Sequence, residues 1–171
     1  MNDFINFNHR DVSLPAGCKD LMDVLRAKDL AAGSAPPPFA GFERVRVTEW
    51  SQIEPWLRRF LTAAGRPALS LNLPRRKVNI CLLRTKAAPM ALFHFFDLAT
   101  PDEARVREFF AQLGIAPLTD AVPPGTQQRV LGYQLPKTVP EALSALNALL
   151  PSVCPALPDG FDLLYIILGA G

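Results

Sequence analysis

Hydrophobic and polar residues alternate through the middle of the chain, and this pattern is the most informative part of the sequence. Two alternating aliphatic sets flank a polar break at residues 74–76: Leu69, Leu71 and Leu73, then Val78, Ile80 and Leu82. A period of two is typical of strands with one buried face. The run from Met90 to Leu98 is apolar on both faces except at His94 and Asp97. The sequence predicts a three-stranded meander. The first two strands have one face in contact with water, whereas both faces of the third strand must be buried.

Three segments around this meander have the pattern of helices. A helix that opens at Thr48 and is closed by Gly65 carries an apolar stripe at three- and four-residue spacing, and Pro55 suits the first position of the helix proper. Thr100 and Thr138 each stand three residues before a glutamate, which is the pattern of a capping box. We expect the helix after Thr100 to bury four residues and to stop at Gly114: Val106, Phe109, Phe110 and Leu113. The helix after Thr138 is expected to end at Pro151.

Further strands are predicted at Gln128 to Leu135 and at Phe161 to Leu168, with a loop or a short strand near Leu118 between the second and third helices. The predicted order is α-β-β-β-α-β-α-β. Segregated runs of strands and helices favour an α+β domain, here an antiparallel β-meander sheet packed by helices. We assign this single domain to residues 44–171.

Residues 1–43 are predicted to form an N-terminal extension. Residues 18–30 fit an amphipathic helix with one apolar stripe, which we call the arm stripe: Leu21, Met22, Val24 and Leu25. Polar residues occupy the remaining positions: Asp20, Asp23, Arg26 and Lys28. The segment from Gly33 to Pro38 ends the helix and favours an extended tether. Two interpretations stay open, since the helix either packs on its own domain or docks on another protein.

Composition narrows the class of protein. The chain has 171 residues, of which 49% are hydrophobic and 20% charged, so it can bury a core of ordinary size. No apolar run approaches the roughly 20 residues that a membrane span needs, and we expect no membrane association. The N-terminus lacks the pattern of a secretory signal. Cys18, Cys81 and Cys154 are widely spaced, which is typical of reduced thiols in the cytoplasm.

Charge is distributed unevenly along the chain. Residues 44–86 carry ten basic and two acidic groups, whereas the segments on either side are net acidic. Five of the basic residues are candidates for a nucleic-acid-binding patch: Arg58, Arg59, Arg75, Arg76 and Lys77. The alternative is that these side chains only solubilise a helix face and a hairpin tip.

The sequence offers little that resembles a reaction centre. A hairpin that closes around Ala87 and Ala88 could bring His94 opposite Cys81, a pair that a cysteine-dependent enzyme could use. Apolar neighbours on both sides favour an inert thiol instead. We find no metal-ligand spacing and no phosphate-binding turn, so we predict no catalytic residues, no metal and no cofactor. Asp102 and Glu103 are explained as residues of a helix start.

From Thr48 onward, the order of elements resembles the type III secretion chaperone-like superfamily, including YbjN-type proteins. The segment from Phe109 to Ile115 closes the second helix, and the segment from Leu131 to Pro136 leads into the last capped helix, much as in those proteins. The resemblance covers about residues 48–155. It implies a non-enzymatic fold that binds extended protein segments or dimerises through its sheet or a helix.

Taken together, these patterns predict a cytoplasmic protein-binding module, a chaperone-like adaptor or an accessory subunit of a larger assembly. The expected partner is another protein or a second copy of the chain, with nucleic acid as the alternative. More apolar side chains lie in the meander than one core can hold, and such a surplus marks interfaces. The residues predicted to bind a partner are those of the arm stripe (Leu21, Met22, Val24, Leu25) together with Leu83, Leu92 and Phe96.

Overall fold

The computed structural model describes residues 39–85, 87–157 and 160–168. They form a seven-stranded antiparallel sheet with three α-helices, so the predicted α+β class is confirmed. The strands are β1 (Phe39–Val47), β2 (Arg66–Leu73), β3 (Val78–Arg84), β4 (Pro89–Phe95), β5 (Thr119–Ala121), β6 (Arg129–Gln134) and β7 (Phe161–Leu168). The helices are α1 (Glu54–Thr62), α2 (Pro101–Gln112) and α3 (Val139–Val153).

The strand order in the sheet is β1-β7-β2-β3-β4-β6-β5. The predicted meander is present as β2, β3 and β4, which are neighbours in that order. The last strand of the chain, β7, is inserted between β1 and β2. Every strand except β1 and β5 therefore has a hydrogen-bonded neighbour on both sides.

Strand β1 was not predicted. It begins at Phe39, inside the segment that the sequence pattern assigned to the N-terminal extension, and its residues from Phe42 to Val47 pair one by one with β7. The strand lies at an edge of the sheet and alternates valines with charged residues (Glu43, Arg44 and Arg46). With only Val45 and Val47 marking its buried side, the pattern is too short to distinguish it from a linker.

The starts of α1 and α2 lie where proline and the capping threonine predict them. A 3-10 turn at Trp50–Gln52 precedes α1, and Pro55 stands in the first turn of that helix. The Thr100 hydroxyl accepts a hydrogen bond from the Glu103 amide at 3.1 Å, and the Glu103 carboxylate accepts one from the Ala99 amide at 3.0 Å. The predicted bond from the Glu103 amide to the capping hydroxyl is therefore present, while the Glu103 carboxylate reaches the amide of Ala99 instead of that of Thr100.

Two predictions about helix ends are wrong. Helix α3 continues through Pro151 to Val153, because a proline near the end of a helix removes one hydrogen bond without reversing the chain. Leu113, predicted to be buried, is 49% exposed since α2 has already ended at Gln112. Gly114 then turns the chain at a φ of 68°, with its amide bonded to the Ala111 carbonyl oxygen and the Ile115 amide bonded to that of Phe110.

All three helices contribute to one hydrophobic core on one side of the sheet, which we call the helix face. Phe110 of α2 stacks on Tyr133 of β6 with ring centroids 3.9 Å apart, and both rings meet Phe93 of β4 edge-on. Buried helix residues in this core include Leu57, Phe60, Val106, Leu146 and Leu150. No helix in the described part of the chain is long and apolar enough to cross a membrane.

Candidate functional site

The opposite side of the sheet is the most unusual surface of the described residues, and we call it the second face. Because side chains alternate along a strand, it carries the residues between those of the helix face. Ten of its side chains are at most 9% exposed: Ala68, Ser70, Asn79, Cys81, Leu83, Met90, Leu92, His94, Leu164 and Ile166. The predicted wet face of β2 and β3 is therefore wrong, since Ser70 and Asn79 are 2% and 3% exposed.

The described helices do not account for this burial. The buried side chains of α1, α2 and α3 belong to the core on the helix face, and none of the ten second-face residues belongs to that core. Aliphatic side chains on a bare sheet face keep a substantial part of their surface in contact with water, yet Cys81 is 0% and Ile166 is 1% exposed. The second face thus has the burial of an interface, although the three described helices pack on the other side.

Two pairs of polar side chains are hydrogen-bonded on the second face. The Asn79 side-chain amide donates to the Ser70 hydroxyl at 3.3 Å across β3 and β2. His94 Nε2 lies 2.7 Å from the Gln128 side-chain oxygen, and its ring stacks on Phe96 with centroids 4.8 Å apart. Because these groups are hydrogen-bonded, an apolar surface can cover them at modest cost.

Next to these polar pairs, Gly132 leaves room for an aliphatic side chain. A Cβ atom at this position would lie 2.9 Å from Leu92 Cδ2 and 3.2 Å from Thr119 Cβ. Because Gly132 has no side chain, Leu92 of β4 can lie against β6, and the apolar surface continues from β4 towards β5.

The structure places three of the predicted partner-binding residues on this side of the sheet. Leu83 and Leu92 are each 4% exposed, so they are buried rather than open to solvent, and Phe96 is half-buried just beyond β4. The four residues of the arm stripe lie outside the described residues.

Cys81 and His94 do not lie opposite each other in the sheet. In the register of β3 and β4, Cys81 pairs with Leu92 and His94 pairs with Asn79, so the two residues are diagonal neighbours. Diagonal positions on one sheet face are about 7–8 Å apart, and the His94 Nε2 atom is hydrogen-bonded to the Gln128 side-chain oxygen. Burial raises the pKa of the Cys81 thiol far above its usual range, which keeps it protonated and unreactive.

The predicted basic patch is divided between two places. Arg58 pairs with Glu54 at 2.9 Å, and Arg59 pairs with Glu43 at 2.6 Å while its guanidinium lies 4.4 Å from the centre of the Tyr165 ring.

At the β2–β3 hairpin, Arg76 donates to Asp102 of α2 and Lys77 to Asp97. Arg75 is exposed at the tip of that hairpin. Carboxylates thus neutralise Arg58, Arg59, Arg76 and Lys77, which weakens the case for phosphate binding.

Sequence reasoning missed the full role of the acidic residues at the start of α2. Asp102 and Glu103 are each 6% exposed. Asp102 accepts hydrogen bonds from Arg76 and from Arg105, and Glu103 pairs with Arg107 at 3.0 Å. Both acidic residues do lie at the start of α2, as predicted. Arg76, which binds Asp102 from the β2–β3 hairpin, is 26 residues away in the sequence. No local pattern could have identified it.

Asp120 of β5 extends these ion pairs towards the sheet edge. It accepts from Arg107 at 2.8 Å and from Arg129 at 2.7 Å. The hydrogen bond from Arg107 contributes most to lowering the pKa of the Asp120 carboxyl, and burial opposes it. Because every carboxylate here already has arginine partners, we interpret the cluster as structural.

A shallow cavity of about 290 Å³ lies between the start of α1 and the end of α3. Trp50, Glu54, Asn147 and Pro151 are among its lining residues, and the Trp50 indole donates to the Cys154 carbonyl oxygen at 2.8 Å. Burial is the main cause that raises the pKa of the nearby Cys154 thiol to about 12. Of the polar lining residues, Glu54 is paired with Arg58, and the Ser51 hydroxyl donates to the Glu49 carboxylate.

Within the described ranges, no three histidine, cysteine or acidic side chains come together as metal ligands would. The chain matches no family model, no curated protein and no solved structure. The resemblance to the secretion-chaperone superfamily therefore stays a prediction.

Proposed function

We propose that the chain is a non-enzymatic protein-binding module of the cytoplasm, a chaperone-like adaptor or an accessory subunit of a larger assembly. The observation that carries this proposal is the second face, which is apolar and buried although the three described helices all pack on the other side. A sheet is stable when both of its faces are covered, so such a face is a place for another element to dock.

The expected occupant is an amphipathic helix of the partner protein. Strands β7, β2, β3, β4 and β6 are paired on both sides, so an extended segment lying on this face would find no free backbone groups to bond. A helix satisfies its own backbone and can bury an apolar stripe against the aliphatic side chains of the face. The partner therefore needs a helical segment with apolar residues at three- and four-residue spacing.

Two observations weigh against the other functions. A phosphate-binding role needs cations that are available to a ligand, and Arg76 and Lys77 are paired with acids. A cysteine-dependent reaction needs a thiolate beside a base, whereas Cys81 is buried opposite Leu92.

Co-purification at low and high salt, followed by binding measurements with the identified protein, tests the proposal. Apolar docking should change little with ionic strength, while nucleic-acid binding falls by about 10³-fold or more over a modest rise in salt. Met90→Gln and Leu92→Gln on the second face should each weaken binding about ten-fold, an effect of about 1.4 kcal/mol. Leu113→Gln is the matched control, because Leu113 is exposed at the end of α2.

Three outcomes would contradict the proposal. The first is a chain that stays monomeric with no co-purifying protein. The second is a partner whose affinity is equally sensitive to the second-face variants and to the Leu113 control. The third is a bound nucleic acid that is lost on substitution of Arg75 and Arg76, which would favour the alternative function instead.

A further inference from the structure

The second face is already buried in the single chain, and this burial must have a source. The described helices are excluded because they pack on the helix face, and the loop residues Phe96 and Gln128 contact this face at His94, near the end of β4. Outside the described ranges the chain contains Lys86, residues 158–159, residues 169–171 and residues 1–38. The three short segments have too few side chains to cover ten positions on several strands. Residues 1–38 are the remaining source within the chain.

The length of this segment fits the face. A helix over residues 18–30 would be about 20 Å long at 1.5 Å per residue. The five strands from β7 to β6 span about 19 Å at their usual spacing of about 4.8 Å. Such a helix would therefore reach across the apolar part of the second face.

The attachment point fits as well. The described chain starts at Phe39 in β1, at one edge of the sheet, and β3 lies three strands away, about 14 Å from that edge. Residues 31–38, which include three consecutive prolines, span about 25 Å when extended at about 3.1 Å per residue. This tether is long enough to centre the helix on β3 without moving β1.

The chemistry of the segment is complementary to that of the face. The arm stripe is aliphatic, as are Leu83, Leu92, Leu164 and Ile166. The polar side of the predicted helix carries Asp20, Asp23, Arg26 and Lys28, which would face water once the arm stripe is buried.

We infer that residues 1–38 cover the second face of their own sheet, with the arm stripe as the contact surface. The proposed function then acquires a regulatory step, which rests on that function: a partner helix binds only by displacing the arm from the same side chains. The cover itself does not depend on any partner. It makes residues 1–38 a competitive inhibitor within the same chain.

Thiol labelling of the full-length chain tests the cover, because Cys81 lies on the second face and Cys154 lies in the core on the helix face. The rate of modification by a maleimide is read for each cysteine by peptide mass spectrometry. In the unaltered chain both thiols should react slowly. In the double variant Leu21→Asn and Leu25→Asn, labelling of Cys81 should accelerate about ten-fold or more while that of Cys154 stays unchanged.

The double variant Arg26→Asn and Lys28→Asn is the matched control. It introduces the same residue type and a similar loss of helix propensity on the polar side of the predicted helix. Its Cys81 labelling rate should stay within about two-fold of that of the unaltered chain. If Cys154 accelerates together with Cys81, the variant has unfolded, and the single substitution Leu25→Asn is measured instead.

Three results would overturn the inference. Rapid labelling of Cys81 in the unaltered chain would show that the face is bare. Protection that persists in the arm-stripe variant would show that another element provides the cover. Protection that disappears on dilution would assign the cover to a second copy of the chain. The experiment contains no partner protein, so its failure leaves the proposed docking function standing, and the lack of a partner leaves the cover standing.

Discussion

Both faces of this sheet contain buried side chains, but the three described helices pack on only one of them. On the helix face, Phe93, Phe110 and Tyr133 form a ring cluster between β4, β6 and α2. On the second face, Leu83, Leu92 and Ile166 reach the same low exposure without a helix over them. The comparison shows that low exposure has two origins, namely permanent packing in a core and cover by a separable element.

Removing the central ring of the helix face should have the largest effect. Phe110→Ala deletes a side chain that stacks on Tyr133 and contacts Phe93, so we expect a loss of about 3–5 kcal/mol in the free energy of unfolding. Denaturant titration followed by circular dichroism measures it. A loss below about 1 kcal/mol would show that this face is not the permanent core.

The ion pairs that join α2 to the β2–β3 hairpin should come next. Asp102→Asn leaves Arg76 and Arg105 without their carboxylate at a site where the Asp102 side chain is 8% exposed, and we expect a loss of about 2 kcal/mol. Glu54→Gln is the control, because its pair with Arg58 is exposed and should contribute at most about 0.5 kcal/mol. Equal effects of the two variants would mean that Asp102 is no more important than a surface acid.

A double-mutant cycle sharpens the distinction between the two faces. Leu92→Ala and the arm-stripe variant Leu21→Asn with Leu25→Asn should be non-additive, with a coupling energy of about 1 kcal/mol, because each removes one side of the same contact. The corresponding cycle with Phe110→Ala should be additive within about 0.5 kcal/mol. Coupling to Phe110 rather than to Leu92 would place the arm elsewhere.

Acid should lower the stability of the protein by a smaller amount, through the carboxyl groups of Asp120 and Asp162. Burial raises the pKa of the Asp162 carboxyl, but hydrogen bonds from Arg44 and Arg46 outweigh it, so the net pKa is lowered, as that of Asp120 is by Arg107. A carboxyl whose pKa is lower in the folded state than in the unfolded state stabilises the protein at pH values above its unfolded-state pKa of about 3.9. This stabilisation is lost as the pH falls through the folded-state pKa. Below about pH 4 the unfolding midpoint should therefore fall.

The variants Asp120→Asn and Asp162→Asn test the origin of this acid sensitivity. Each should flatten part of the acid limb of the stability curve, because the amide cannot titrate. An acid limb that keeps its slope in both variants would assign the pH dependence to other carboxyl groups.

Much of the fold is predictable because its signals are local. The alternation in β2 and β3, the capping residue Thr100 and the glycine turn at Gly114 each act within a few residues, and the structure confirms all three. Strand order is different, because the insertion of β7 between β1 and β2 depends on pairings more than 90 residues apart in the sequence. No local pattern encodes such pairings.

The candidate site was predictable only in part for a related reason. Leu83 and Leu92 were predicted because the apolar surplus of the meander is visible in the sequence, and both lie on the second face. Ser70 and Asn79 were expected to be wet, since a polar side chain gives no sign that a neighbour will hydrogen-bond it under a cover. The register that separates Cys81 from His94 depends on where the β3–β4 turn closes, which composition does not determine.

Disulfide trapping tests the central claim most directly, namely that the arm lies on the second face. Cysteine is placed in turn at each arm-stripe position, as in Leu21→Cys or Leu25→Cys, with Cys18→Ser removing the competing thiol, and the chain is oxidised at low concentration. We expect at least one stripe position to form an intramolecular bond with Cys81, which requires Cα atoms within about 7 Å, while Arg26→Cys on the polar side forms none. If no stripe position bonds to Cys81, or if the polar position bonds as readily, the arm does not cover this face.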